Sequence, residues 1–222
     1  MNIILYILYA LIGTIVIDRI TGRKLFNPYR VIGIFGKPGS GKSTLMTKMM
    51  YQHKKHGWIV LTDDPTVKIP GIHYYDSQKF KNGEFLPDGR KTKKPIVMFI
   101  DEMGIIYNNR DFKNNLSPKT LEFWKKHRHR RVKVIYGSQS YKDMDLKIRQ
   151  LTQELYLVKR GILTNFSIAK RIRITMDISN PTTQDGNGNT GGQIIENYSY
   201  DLPIFWKYTL LPKWIRKFNS FN

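Results

Sequence analysis

Residues 36–43 read Gly36-Lys37-Pro38-Gly39-Ser40-Gly41-Lys42-Ser43, a complete G-x-x-x-x-G-K-[ST] loop. Arg30-Val31-Ile32-Gly33-Ile34-Phe35, apolar after its first residue, leads into the loop. Thr44-Leu45-Met46-Thr47-Lys48-Met49-Met50 leads out of it. The loop therefore joins a strand to a helix, as its chemistry requires. Glycines let the backbone curl until its N–H groups point at phosphate oxygens, beside the positive end of the following helix. Gly36, Lys37, Pro38, Gly39, Ser40, Gly41, Lys42, Ser43 and Thr44 are the candidate nucleotide-binding positions. In such a loop the lysine, Lys42, reaches the β- and γ-phosphates and the hydroxyl, Ser43, sits on Mg²⁺. The expected cofactors are ATP and Mg²⁺. The structural alternative is a glycine turn carrying a solvated lysine.

Downstream, strand and helix signals alternate. Trp58-Ile59-Val60-Leu61-Thr62 reads as a second strand closed by Asp63-Asp64-Pro65. Residues 63–94, with turn signals at Asn82-Gly83 and Asp88-Gly89, read as an irregular surface insertion. Pro95 to Ile100 is continuously apolar, the pattern of a strand buried on both faces. Ser117-Pro118 opens a helix, serine as cap and proline in the first turn. Arg131 to Tyr136 and Leu155 to Val158 supply a fourth and a fifth strand. This order predicts a parallel α/β sheet with its site at the carboxyl ends of the strands.

Asp101-Glu102 falls at such a strand end. Asp101 is the candidate Mg²⁺ ligand beside Ser43, and Glu102 is the candidate for polarising an attacking water. A hydrolase needs that second carboxylate, whereas a kinase with a bound acceptor does not. The fourth strand runs into Gly137-Ser138-Gln139-Ser140. The Gln139 amide is a candidate γ-phosphate sensor, with an ordinary turn residue as the alternative. Arg149 is a candidate arginine finger for a neighbouring subunit, with Arg110 as its competitor. Asn108-Asn109-Arg110-Asp111 lacks the lysine of a guanine-reading motif, which argues against a GTPase.

Charge narrows the partners. The chain of 222 residues has 37 Lys and Arg against 17 Asp and Glu, a net charge of +20. That excess implies a polyanionic neighbour, nucleic acid or acidic lipid. Lys125-Lys126-His127-Arg128-His129-Arg130-Arg131 is its densest run, either a phosphate-backbone contact or a solvated helix end. No cysteine is present, so disulfide and thiolate-metal chemistry are excluded, and His127 and His129 lack partners for a metal site.

Residues 3–17 (IILYILYALIGTIVI) carry no charge. As a helix they would reach about 22 Å at 1.5 Å per residue, against a hydrocarbon core of about 30 Å. Local bilayer thinning can absorb that mismatch. Arg19, Arg23, Lys24 and Arg30 all lie downstream, which predicts a single-pass anchor with its N-terminus outside and the rest of the chain in the cytoplasm. A buried or interfacial helix is the alternative. Residues 1–20 are thus the expected anchor, 21–29 a basic linker, 30–165 the ATPase core and 166–222 a β-hairpin with an aromatic and basic extension. In that extension Ile168 to Ile178 reads as a strand, Ile194 to Tyr200 as its partner, and the glycine- and asparagine-rich stretch 182–193 as the loop between.

Gly36–Ser43, Ile100-Asp101-Glu102, His127-Arg128-His129, Gly137-Ser138-Gln139 and Asp145 to Arg149 together resemble the zonula occludens toxin-like (Zot) family. That family includes filamentous-phage assembly ATPases of the FtsK–HerA group. The likeness covers about residues 30–160. It implies a P-loop NTPase three-layer sandwich with parallel strand order 5-1-4-3-2, the glutamine strand lying between the loop strand and the acidic strand. It also implies ring-like homo-oligomers, phage coat or channel partners, and extrusion of single-stranded phage DNA through the host inner membrane. The family usually places its membrane segment after the ATPase domain; here the candidate precedes it. Two other readings compete: a packaging or conjugative pump for double-stranded DNA, and a nucleotide-dependent membrane scaffold that recruits coat or channel proteins.

Overall fold

A computed structural model describes residues 28–107, 117–141, 144, 146–161, 165–178, 194–210 and 213–214, together with Tyr6, Tyr9 and residues 12–14. Its centre is the run that leads into the glycine loop. Strand β1 (Val31–Phe35) is buried throughout, and helix α1 (Lys42–Lys55) begins on Gly41. The helix buries Leu45, Met46, Met49 and Met50 against the sheet. It ends before Gly57, whose φ of 80° few other residues would tolerate.

Strands β2 (Ile59–Thr62), β4 (Ile96–Ile100) and β5 (Val132–Ser138) lie parallel to β1, as does β6 (Glu154–Arg160). Their spatial order is β2-β4-β5-β1-β6. The Ile-Val-Met-Phe-Ile sequence of β4 is buried on both faces, so alternate residues feed two cores. Ile32, Ile34, Val97, Phe99 and Ile135 face α1. Val31, Phe35, Met98, Ile100, Val134 and Tyr136 share the other core with three helices. These are the short α3 (Met103–Ile106), α4 (Pro118–Lys126) with Phe123 and Trp124, and α5 (Leu146–Leu151) with Ile148. Helices thus cover both sides of a mostly parallel sheet. Ser117 caps α4 by accepting from the Thr120 N–H at 3.1 Å, with Pro118 at the first position.

The segment 63–94 corrects the reading of an irregular insertion. It adds a short parallel edge strand, β3 (His73–Tyr74), beside β2 and a helix, α2 (Ser77–Lys81). Ile69, Tyr75 and Phe80 are buried there. The Tyr75 hydroxyl donates to the Phe99 carbonyl at 3.0 Å, which ties the segment to β4. These apolar residues are separated by turn signals, so no periodicity announced them.

The carboxyl-terminal strands continue the same sheet. Strand β7 (Phe166–Ile178) pairs antiparallel with β6. Both β8 (Ile194–Tyr200) and β9 (Lys207–Leu210) pair with β7. Asp201, between β8 and β9, is buried and takes ion pairs from Arg171 (3.1 Å) and Arg173. Trp214 packs back on α1, its ring 5.4 Å from that of Tyr51.

The expected transmembrane helix over 3–17 lies outside the described residues, apart from Tyr6, Tyr9 and residues 12–14. Among the described residues no helix is long and apolar enough to cross a membrane.

Candidate nucleotide-binding site

The glycine loop closes the carboxyl end of β1. Gly39 and Gly41 take φ of 74° and 98°, left-handed values that swing successive N–H groups toward one centre. Gly36 is required for space: a Cβ there would lie 2.6 Å from the Val158 carbonyl and 2.7 Å from Ser40 Oγ. Ser40 is buried and its hydroxyl finds no hydrogen-bond partner among the described residues, an orphaned polar group inside the cradle. Lys42 folds back onto its own loop and donates to the Gly36 carbonyl at 2.8 Å and, less closely, to that of Lys37 at 3.4 Å. Burial lowers its pKa, offset in part by Glu102 and Asp101.

Three strand ends meet at this cradle. Ser43 Oγ donates to Asp101 Oδ1 at 3.4 Å, linking the start of α1 to the end of β4. Glu102 follows, and its Oε1 accepts the Gln139 backbone N–H at 3.2 Å from the end of β5. Gly137 allows this closeness, because a Cβ there would meet the Asp101 carbonyl at 2.4 Å. The third acid was missed in the sequence. Asp63, at the end of β2, accepts the Asp101 backbone N–H at 2.9 Å. Asp63-Asp64-Pro65 read as a turn; the usable signal was an acidic pair ending the strand beside β4.

Burial raises Asp63 from 3.8 to about 7, helped by the Asp101 and Asp64 charges and opposed by the hydrogen bond it accepts. Asp101 rises to about 6, through burial first and then the charges of Asp64 and Glu102. Crowded, half-desolvated carboxylates next to a hydroxyl are hard oxygen donors that a divalent cation would relieve. Ser43 and Asp101 therefore fit Mg²⁺, although no cluster of three acids or histidines is arranged as a closed cage among the described residues.

The sign of the pH effect follows. Asp63 and Asp101 hold protons more tightly folded than unfolded, so the native state binds more protons between roughly pH 4 and pH 7. Raising pH through that window removes stability from the nucleotide-free protein. Asp63→Asn keeps an acceptor for the Asp101 N–H and cannot ionise. Its thermal midpoint at pH 8, without metal or nucleotide, should exceed the parent's by several degrees, at roughly 2–4 °C per kcal/mol for this chain size. The gain should shrink toward pH 4; a constant difference across pH would mean that ionisation is not its source.

The structure thus brings together Lys42, Ser43, Asp101, Glu102 and the Gln139 backbone. The Gln139 side chain is exposed. Arg149 lies elsewhere, its guanidinium 5.2 Å from the Tyr141 ring centre, in a cavity of about 440 Å³ shared with Arg171 and Arg173. Arg110 and Asp145 lie outside the described residues. Within the basic run, His127 is buried and its Nδ1 donates to the Trp124 carbonyl at 2.7 Å. It closes the carboxyl-terminal end of α4.

A mostly parallel sheet with a glycine loop at β1 and an acid pair on the next strand but one is a P-loop NTPase fold. The Zonular occludens toxin (Zot) family model matches residues 72–209, more than half of the chain, and the chain belongs to that family. The glycine loop lies before the matched interval. Among solved structures, the N-terminal domain of zonular occludens toxin from Neisseria meningitidis is 18% identical. Its TM-score is 0.52, and the match covers 86% of this chain and 99% of that one. The genome packaging NTPase B204 from Sulfolobus turreted icosahedral virus 2, in complex with AMPPCP, is 19% identical at a TM-score of 0.47, covering 60% and 75% of the two chains. The flagellar accessory protein FlaH from Methanocaldococcus jannaschii is 16% identical at a TM-score of 0.40, covering 64% and 76%. No curated protein matches the chain.

Proposed function

We propose that this chain is a membrane-anchored ATPase that drives assembly and extrusion of single-stranded phage DNA through the host cell membrane. The observation that carries the reading is the 3.4 Å approach of Ser43 to Asp101, with Lys42 and Glu102 beside it, in a member of the Zot family. Lys42 and the loop N–H groups would bind the phosphates of ATP, and Ser43 and Asp101 would hold Mg²⁺. The bound metal supplies charge neutralisation at the phosphates. Glu102 orients and polarises the attacking water. Its hydrogen bond from the Gln139 N–H couples that carboxylate to the end of β5, the route by which Gln139 would report the state of the γ-phosphate. Arg149 is proposed to complete a neighbouring site in a homo-oligomeric ring. Residues 3–17 would anchor the chain at the inner membrane, with the ATPase core in the cytoplasm and coat or channel proteins as further partners.

The test is ATP hydrolysis by the full-length protein with and without DNA. Single-stranded DNA should stimulate turnover. Its binding should weaken steeply with salt, by roughly 300-fold between 50 and 200 mM if about six phosphates of a single strand are contacted. Stimulation by duplex alone would favour a packaging or conjugative pump. Hydrolysis indifferent to DNA would favour a scaffold, and a flat salt response would remove the backbone-tracking motor.

A further inference from the structure

The parallel sheet has two ends, and the nucleotide site occupies only one. At the other lie the residues that lead into β2, β4, β5 and β1, placed side by side by the parallel register. The Ile59 N–H bonds to the Pro95 carbonyl, the Ile96 N–H to Arg131, and the Val134 N–H to Arg30. This edge is crowded with exposed cations, among them Lys91, Lys93, Lys94, Lys125, Arg128 and Arg131. The acids nearby are already engaged: Asp88 with Arg90 at 2.5 Å, Glu122 with Lys126 at 2.9 Å, and Glu154 with Arg30. Among the described residues the edge therefore presents a nearly unopposed positive surface.

The same edge is where the amino-terminal segment joins the fold. The Tyr29 ring packs 5.7 Å from that of Trp58, and Arg30 is held by Glu154. From Ile17 to Tyr29 the chain can span at most roughly 40 Å when fully extended. If residues 3–17 lie in the bilayer, this edge is held within roughly 40 Å of the lipid headgroups. The catalytic loop, at the far end of β1, is roughly 17 Å further away along the strand.

We propose that the amino-terminal edge of the sheet docks on an anionic bilayer surface, holding the nucleotide site toward the cytoplasm. The inference rests on the reading of residues 3–17 as an anchor. Each cation within a Debye length of an acidic leaflet adds to the attraction. The occupant is lipid because the tether delivers this edge to a membrane, whereas a nucleic acid would have to be brought there separately.

The chain contains no cysteine, so single labels are unambiguous. Thr92→Cys places a fluorophore on the basic edge. Ile105→Cys places one beside the nucleotide site, where Ile105 is 78% exposed. Both full-length proteins are reconstituted with vesicles of phosphatidylcholine mixed with phosphatidylglycerol and a headgroup-attached quencher. With a contact-range quencher, the label at position 92 should lose more than about half of its emission and the label at 105 little, since the two ends of β1 lie roughly 17 Å apart. High salt, neutral vesicles, or Lys91→Asn/Lys93→Asn/Lys94→Asn should restore the emission while the protein still floats with the vesicles. Asparagine is chosen because Lys93 has φ of 57°. Flotation with equal emission at both positions overturns the docking face and leaves the anchor standing. Absence of flotation with every vesicle overturns both. A label at 92 that responds to single-stranded DNA and not to vesicles reassigns the edge to nucleic acid.

Discussion

Lys42→Ala should abolish measurable ATP binding while leaving the nucleotide-free fold intact. Burial already lowers the Lys42 pKa, and without nucleotide its ammonium donates to carbonyls of its own loop. Removing it therefore costs the empty protein little. With ATP the same ammonium would meet two phosphates, at about 1.5–3 kcal/mol for each charge-assisted hydrogen bond. Affinity should fall by about 100-fold or more, a factor of ten for each 1.4 kcal/mol. Thermal shift separates the two effects. In the parent, ATP at 100 times its dissociation constant adds about 2.7 kcal/mol to stability. The variant should keep the parent's apo midpoint and lose nearly all of the ATP-dependent increase. A variant that still shows the full shift would mean that Lys42 does not reach the phosphates.

The parts legible in the sequence were those whose chemistry is local. The glycine loop declares itself because its φ requirements and its lysine occupy eight consecutive positions. The strand ending in Asp101 and Glu102 declares itself because a run of five buried apolar residues has few other uses. What escaped depends on contacts between distant segments. Asp63 is 38 residues from Asp101 and reads as half of a turn; only the parallel pairing of β2 with β4 brings the two strand ends together. Tyr75 and Phe80 are likewise isolated aromatics in a polar stretch, and their burial follows from the space beside β4 and α4. His127 belongs to a run that reads as a phosphate-backbone contact or a solvated helix end; its ring is instead buried in the turn between α4 and β5. Arg149 shows the limit of spacing arguments: the sequence can nominate it as a finger, but its neighbours within the chain are Tyr141 and the arginines of β7, and its proposed role requires a second subunit.

Glu102→Gln should bind ATP as the parent does and turn it over at least about 10²–10⁴-fold more slowly, the usual contribution of a positioned general base. The substitution preserves shape and an acceptor oxygen, so the hydrogen bond from the Gln139 N–H survives and the end of β5 stays in place. It removes one negative charge beside Asp101, whose pKa the Glu102 charge helps to raise. Asp101 should then ionise at lower pH, and the midpoint for Mg²⁺-dependent ATP binding should move in the acid direction. Two readouts must therefore separate: single-turnover hydrolysis collapses, while nucleotide affinity at neutral pH is kept. Equal losses of affinity and turnover would make Glu102 a structural support for the β4–β5 junction. Undiminished hydrolysis would transfer the water-polarising role to another acid, for which Asp63, held against the Asp101 backbone at 2.9 Å, is the nearest candidate.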